Sequence, residues 1–225
     1  MKHKLSKNPE KFRNFDKKRK IDPDHPQPEH IDEAASIIKR GGVVSFPTRC
    51  LYGLGADALN PEAVRRIFEI KRRPDDKPLL VLVNNQKDLT GLVRSIPPVA
   101  SCLMANFWPG RITIVFEAQD KLPVNLTAGT GRIGIRLPEH PVAAAIVKMV
   151  GGPITGTSAN LSGNTNGFQS QDLNSILADQ LDLILDAGPL KGGPGSTVVD
   201  VTGEFPRIIR EGEVSCGEIF AALNK

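Results

Sequence analysis

Apolar residues along the chain follow two periods, one helical and one of strand length, and their succession predicts a mixed α/β protein. Asp32 is placed to cap a helix in which Ala35 and Ile38 recur at helical spacing until Gly41 stops it. A short buried strand follows over 43–46, closed by Pro47, and residues 48–55 read as a loop. Asn60 and Pro61 form an N-cap and a first helical residue, where the missing proline N–H costs nothing, so a helix runs to about Lys71. Residues 79–83 are continuously apolar, as in a strand covered on both faces.

Further strands are expected over 111–116 and 132–137, with 125–131 as a loop between them. A helix over 141–150 is stopped by Gly151 and Gly152. Residues 153–157 read as a short strand that enters the small polar loop 158–163. Strands at 181–185, 196–201 and 207–210 follow, and Ser215 with Glu218 makes a capping box for a terminal helix. The irregular alternation, with paired strands in the second half, favours one mixed twisted sheet with flanking helices over a regular doubly wound fold.

With 40% apolar and 24% charged residues the chain has the composition of a globular protein and length for one sizeable core. We expect a single catalytic domain over 29–225 preceded by a basic extension over 1–28. Residues 1–20 hold nine Lys and Arg against Glu10 and Asp16, leaving 20 of the 29 basic and 23 of the 25 acidic residues to the remainder. The net charge of +4 therefore belongs to the tail. Such a run reads as a solvated, disordered extension, joined through a stiff linker at Pro23, Pro26 and Pro28. It would also steer the protein toward RNA, since clustered cations displace counterions from phosphates. No window approaches the roughly 18 apolar residues of a membrane span, and no apolar run follows the basic N-terminus as in a signal peptide. A cytoplasmic protein is expected. Its three dispersed cysteines, Cys50, Cys102 and Cys216, form neither a disulfide framework nor a CxxC metal site, so zinc is not expected and no residue is assigned to a metal.

The usual nucleotide signatures are missing: no GxGxxG follows a strand, and the glycines of 188–195 lack the GK[ST] ending of a phosphate loop. Basic and small polar residues at strand and helix ends are the alternative anion-binding device. Lys71, Arg72, Arg73 and Lys77 stand at a helix end, where cations equally serve the negative end of the helix dipole. Ser158 and Asn160 are common turn formers. Arg136 says more, because an arginine near the end of an apolar strand must meet a carboxylate, a phosphate or solvent. Arg132, Ser196 and Arg210 also flank strands.

In order along residues 30–215, GVVSFPTRCLYGLG (42–55), KRRP (71–74) with Pro78-Leu79, Trp108-Pro109-Gly110, Arg136-Leu137-Pro138 with His140-Pro141, SANLSG (158–163), STVVD (196–200) and Arg210-Glu211-Gly212 resemble the YrdC-like threonylcarbamoyl-AMP synthases. The resemblance implies a reaction in which L-threonine and bicarbonate form a carbamate that attacks the α-phosphate of ATP. The products are threonylcarbamoyl-AMP and pyrophosphate. Such a step needs charge neutralisation and alignment more than a covalent nucleophile, so Lys, Arg and hydroxyls with Mg2+ suffice. By position, Lys71 and Arg73 are the catalytic pair; Arg73, Lys77, Arg132, Ser158, Asn160, Asn166 and Arg210 bind ATP; Cys50, Arg136 and Ser196 bind threonine. The family further implies partner proteins that receive the adenylate for tRNA modification.

Two residues depart from the pattern. The family commonly has an acid and a threonine before the YGLG segment, whereas this chain has Arg49 and Cys50. Arg49 reverses a charge at the pocket edge, and Cys50 is either a weaker hydrogen-bonding group or a buried filler. Leu82 stands where some relatives carry a histidine. Two other readings remain open from the sequence: a non-catalytic protein that binds double-stranded RNA, tRNA or the ribosome, and a related adenylate-forming enzyme with another amine substrate.

Overall fold

The computed structural model describes residues 17–160 and 175–224. In chain order its elements are β1 (Lys18–Lys20), α1 (Pro28–Lys39), β2 (Val44–Pro47), β3 (Tyr52–Gly55), α2 (Pro61–Lys71), β4 (Leu80–Leu82), a 3-10 helix (Gln86–Gly91), α3 (Pro98–Phe107), β5 (Ile112–Glu117), α4 (Val124–Thr127), β6 (Arg132–Arg136), α5 (Pro141–Val150), β7 (Ile154–Thr155), β8 (Thr157–Ser158), α6 (Ser175–Ala178), β9 (Leu183–Asp186), β10 (Thr197–Asp200), β11 (Arg207–Arg210) and α7 (Cys216–Leu223).

The mixed α/β class read from the sequence holds, but the single sheet expected there is two. One has the order β1-β9-β2-β3-β8 and the other β11-β10-β5-β6-β4-β7. Each combines parallel and antiparallel pairs. The chain passes between them at Gly156, which separates β7, paired with β4, from β8, paired with β3. Gly156 N–H donates to Leu80 O at 2.8 Å. A Cβ at Gly156 would stand 2.6 Å from Leu82 Cγ and 2.7 Å from Leu80 Cδ2, so the crossing requires a residue without a side chain. The strand expected over 153–157 is thus two short ones belonging to different sheets.

Helix α2 shows how local sequence sets the frame. Asn60 Oδ1 accepts from the N–H groups of Glu62 and Ala63, and Pro61 fixes the first turn. Its buried face runs through Ala63, Val64, Ile67 and Phe68 to Lys71, one turn beyond Ile67. Arg72 then takes a left-handed conformation (φ 48°), and Arg73 N–H returns to Phe68 O at 2.9 Å. The largest apolar cluster includes this face together with Leu103, Ile114, Phe116 and Ile135. A second cluster packs α1 and α5 on the first sheet through Ile38, Val44, Phe46, Ile146 and Leu183. Each such side chain contributes about 1.5–3 kcal/mol when fully buried.

Several boundaries move. Helix α1 starts at Pro28 rather than at Asp32, with Pro28 itself at the first helical position. The loop expected over 48–55 contains β3, hidden in the sequence by its glycines; a Cβ at Gly55 would lie 2.6 Å from a ring carbon of Phe46 on the paired strand. Helix α3 and the short α4 were not anticipated. The assignment of all of 1–28 to a disordered extension fails for 17–28. There β1 pairs in parallel with β9, Lys17 Nζ donates to the carbonyls of Asp179 (3.0 Å) and Leu181 (2.8 Å), and Ile21 is buried in the second cluster. Charged side chains on an edge strand point to water while the backbone ladder forms.

Candidate functional site

A cavity of about 720 Å³ opens between the two sheets. Strand alternation builds its floor. On β6, Arg132, Gly134 and Arg136 share one face and line it, whereas Ile133 and Ile135 point into the core. On β5, Thr113 and Val115 line it, and Ile112, Ile114 and Phe116 turn inward. Ser196 with Val198 and Ile209 with Arg210 extend the floor, and Tyr52, Gly53, Thr157 and Ser158 of the other sheet form the opposite wall. Five arginines line the cavity, Arg49, Arg73, Arg132, Arg136 and Arg210, against Glu139 and Glu213.

Lys71 lies beneath the Ser158 corner and is not part of the cavity wall. Its side chain is only 1% exposed. Nζ donates to Ser158 O, to Asn160 O (2.6 Å) and to Asn160 Oδ1 (3.3 Å). Ser158 Oγ also donates to Asn160 Oδ1, at 2.6 Å. Burial, assisted by the charge of Arg73, pushes the Lys71 ammonium down to about 7. Arg73 is steadied by the carbonyls of Lys77 (2.9 Å) and Pro78 (2.8 Å), and its own burial lowers its pKa. Lys77 itself is exposed, and it meets Arg73 through its backbone carbonyl.

On the floor, Arg132 pairs with Asp200 at 3.2 Å, and Arg210 donates to Ser196 O at 2.8 Å. Burial acts to raise the Asp200 pKa, but hydrogen bonds from Thr202 and the charges of Arg132 and Arg207 outweigh it, and the net shift is downward. Thr113 and Ser196 share a hydroxyl hydrogen bond of 2.8 Å. At the far end, Arg136 Nε is buried with no hydrogen-bond partner among the described residues, and burial lowers the Arg136 pKa against the opposing charge of Glu213. Cys50 Sγ donates to Glu213 Oε1 at 2.9 Å, and Arg49 reaches both Glu213 (3.2 Å) and Glu139 (3.1 Å). Burial and the Glu213 carboxylate raise the Cys50 thiol to about 11. His140, also on the wall, caps α5 through Nδ1, and burial lowers its pKa.

The structure therefore brings Cys50, Arg73, Arg132, Arg136, Ser158, Ser196 and Arg210 to one cavity. Lys71 and Asn160 stand behind the Ser158 corner, because Lys71 continues the apolar face of α2. Lys77 is not among the cavity-lining residues, and Asn166 lies outside the described residues. The sequence reading passed over Thr113, Glu139 and Glu213. Thr113 had a signal, as the one polar residue inside the apolar run 112–116; Glu213 had none, since a glutamate after a glycine reads as surface. Among the described residues no group of three His, Cys, Asp or Glu could hold a metal ion, and no helix is long and apolar enough to cross a membrane.

The architecture is that of an α/β protein with an arginine-lined cavity between two mixed sheets. The chain belongs to the Sua5/YciO/YrdC family, whose model, described as "Telomere recombination", matches residues 36–212. It is 37% identical, over 86% of its length, to a Bacillus subtilis (strain 168) protein named threonylcarbamoyl-AMP synthase, of which 56% is covered. A Mycobacterium tuberculosis (strain ATCC 25618 / H37Rv) protein named putative threonylcarbamoyl-AMP synthase is 39% identical over 86% of this chain and 88% of its own. The crystal structure of Pyrococcus abyssi Sua5 complexed with L-threonine matches at a TM-score of 0.87 and 33% identity, over 92% of this chain and 60% of that one. The chain thus spans little more than half the length of the Bacillus and Pyrococcus proteins.

Proposed function

We propose that the chain is an L-threonylcarbamoyladenylate synthase serving threonylcarbamoyladenosine modification of tRNA. The observation that carries this reading is that one cavity is lined by Arg132 and Arg136 of β6 together with Arg73 and Ser158. The amine of L-threonine adds to the carbon of bicarbonate, with loss of water, to give a carbamate. A carbamate oxygen then bonds to the α-phosphorus of ATP as the bond to pyrophosphate breaks. Charge grows on the leaving pyrophosphate, and fixed guanidinium groups in a partly dry cavity stabilise it without reorganising.

In this reading Arg73, Arg132 and Arg210 hold the triphosphate and nucleotide, Ser158 turns its hydroxyl from Asn160 Oδ1 to a phosphate or ribose oxygen, and Asn160, Lys77 and Asn166 supply further contacts to the nucleotide. Arg136, whose Nε lacks a partner among the described residues, takes the threonine carboxylate, with Cys50 and Ser196 beside it. Lys71 adds positive charge beneath the phosphates and holds the backbone of Ser158 and Asn160 in place. Mg2+ carried by the triphosphate would neutralise part of its charge, and the chain would then need no carboxylate cage of its own to hold the ion. The product passes to partner proteins that act on tRNA.

The test is pyrophosphate release from ATP by the full chain with Mg2+ and bicarbonate, with and without L-threonine, the nucleotide product identified by mass. Threonine-dependent threonylcarbamoyl-AMP is the expected result, and Arg73→Ala should reduce it at least about 100-fold, the order reached by removing a transition-state donor. Product formed only with another amine would move the substrate assignment. No product in the presence of measurable ATP binding would remove the enzyme reading.

A further inference from the structure

The end of the cavity that holds Arg136 and Cys50 also holds Arg49, Glu139 and Glu213, to which the adenylate chemistry assigns no use. Glu213, on the segment between β11 and α7, accepts Cys50 Sγ–H on one oxygen at 2.9 Å and Arg49 Nε on the other at 3.2 Å. Its backbone N–H is tied to Gly195 O at 2.9 Å, next to Ser196. Arg49 extends to Glu139 on the segment between β6 and α5. Three separate segments therefore meet at the wall, and Arg49, Cys50, Arg136, Glu139 and Glu213 all line it. The Glu213 side chain is 11% exposed, against 45% for Arg49, so the carboxylate is sunk into the wall and the guanidinium covers it from the rim.

A carboxylate offers about four lone-pair sites. Cys50 and Arg49 occupy two of them, so Glu213 retains acceptor capacity toward the cavity. The two arginines and two glutamates balance, and the Cys50 thiol, raised to about 11, stays neutral and donates. An amino acid that sets its carboxylate on Arg136 brings its side chain toward Glu213, Cys50 and the Thr113–Ser196 hydroxyl pair. That neighbourhood welcomes a hydrogen-bond donor, gives an apolar group no partner, and opposes a second carboxylate.

We propose that Glu213 is a specificity-determining residue that accepts a hydrogen bond from the side-chain hydroxyl of the amino-acid substrate, and that Arg49 is the positioning residue that aims it. Glu213 then sets the preference for L-threonine over its apolar isostere and over acidic amino acids. The inference rests on the amino-acid-dependent reaction proposed for this cavity.

The experiment pairs binding with turnover. Calorimetric titration of the full chain, with ATP present, uses L-threonine, L-valine and L-aspartate, and the adenylate product is measured with the same three. Wild type should prefer threonine to valine, and Glu213→Ala should lower that ratio roughly 10- to 100-fold, the value of a hydrogen bond to a charged group. Glu213→Gln keeps the shape and an acceptor oxygen and should fall between. Arg49→Ala should raise the KM for threonine with kcat and the valine KM little changed, and Arg49→Lys should restore much of it. Threonine-dependent product with an unchanged threonine-to-valine ratio in Glu213→Ala overturns this inference and leaves the proposed reaction standing. Selective threonine binding that Glu213→Ala abolishes, with no product in wild type, supports the inference and overturns the reaction. Failure of wild type to bind any of the three overturns both.

Discussion

Lys71 brings the largest electrostatic conflict of the site into one side chain. Its ammonium is buried, and three protein oxygens take its three protons. Those acceptors favour the charged form, since the neutral amine has only two N–H groups, but desolvation dominates and the group titrates at about 7. The unfolded chain holds the proton to about 10.4. Between these values the unfolded state binds more protons, so the contribution of Lys71 shifts in favour of the fold as pH rises from about 7 toward 10. Lys71→Met, similar in length and never charged, should lack this component. Urea unfolding at pH 7 and pH 9 should show wild type gaining up to about 2–3 kcal/mol relative to the Met variant. Parallel pH dependence in the two proteins would mean that the ammonium keeps its proton in the fold. A bound polyphosphate acts in the opposite direction, raising the Lys71 pKa by adding negative charge nearby, so Lys71→Met should also weaken ATP most below pH 7.

The elements that carry these residues are set by short-range chemistry, and so they are open to test one turn at a time. Arg72 ends α2 in the left-handed region at φ 48°, where a Cβ costs about 1–2 kcal/mol and glycine is at ease. Arg72 is exposed, so Arg72→Gly should stabilise the protein by about 0.5–1 kcal/mol after the greater freedom of the unfolded glycine is counted, read as a higher urea midpoint. The crossing at Gly156 should behave oppositely: Gly156→Ala drives a methyl into Leu80 and Leu82 and should cost about 1–3 kcal/mol. A neutral Gly156→Ala would mean that β4 yields easily and does not fix the spacing of the sheets. These elements also show what the sequence could disclose. The N-cap at Asn60, the buried run through Leu82 and the capping box at Ser215 are local devices, and each stands where its residues predict it. Arg132 and Arg136 could be read as flanking a strand, while their shared face on β6 is seen in the fold. The division into two sheets was hidden, because β7 and β8 are two residues each and no period can be read from two positions. Glu213 was hidden for a different reason: its partners Cys50 and Arg49 are more than 160 positions away, and only the folded chain brings them together.

Across the whole molecule, the excess positive charge belongs to the N-terminal segment, of which residues 17–20 have a place in the fold. Residues 21–225 carry 20 basic and 23 acidic residues, so their net charge does not attract a polyanion such as double-stranded RNA or tRNA, and the tail and the arginines of the cavity are the cationic groups to test. Lys18–Lys20 are committed to β1, Lys18 pairs with Asp186 at 2.9 Å, and Arg19 pairs with Glu33 at 3.0 Å. Charges already paired with carboxylates neutralise few phosphates. Residues 1–16 hold five Lys and Arg against two acids. Two truncations separate the contributions. Removing 1–16 should reduce the slope of log K against log salt for a double-stranded RNA probe, since each lost phosphate contact removes about 0.9 from it. Removing 1–20 should in addition lower stability by about 1–3 kcal/mol, because the ladder to β9 and the Lys17 contacts to Asp179 and Leu181 go with it. An unchanged salt slope in both truncations would assign RNA affinity to the cavity arginines, and ATP would then compete with the probe. A reduced slope with ATP indifferent would make the tail a tether to RNA that is independent of the cavity.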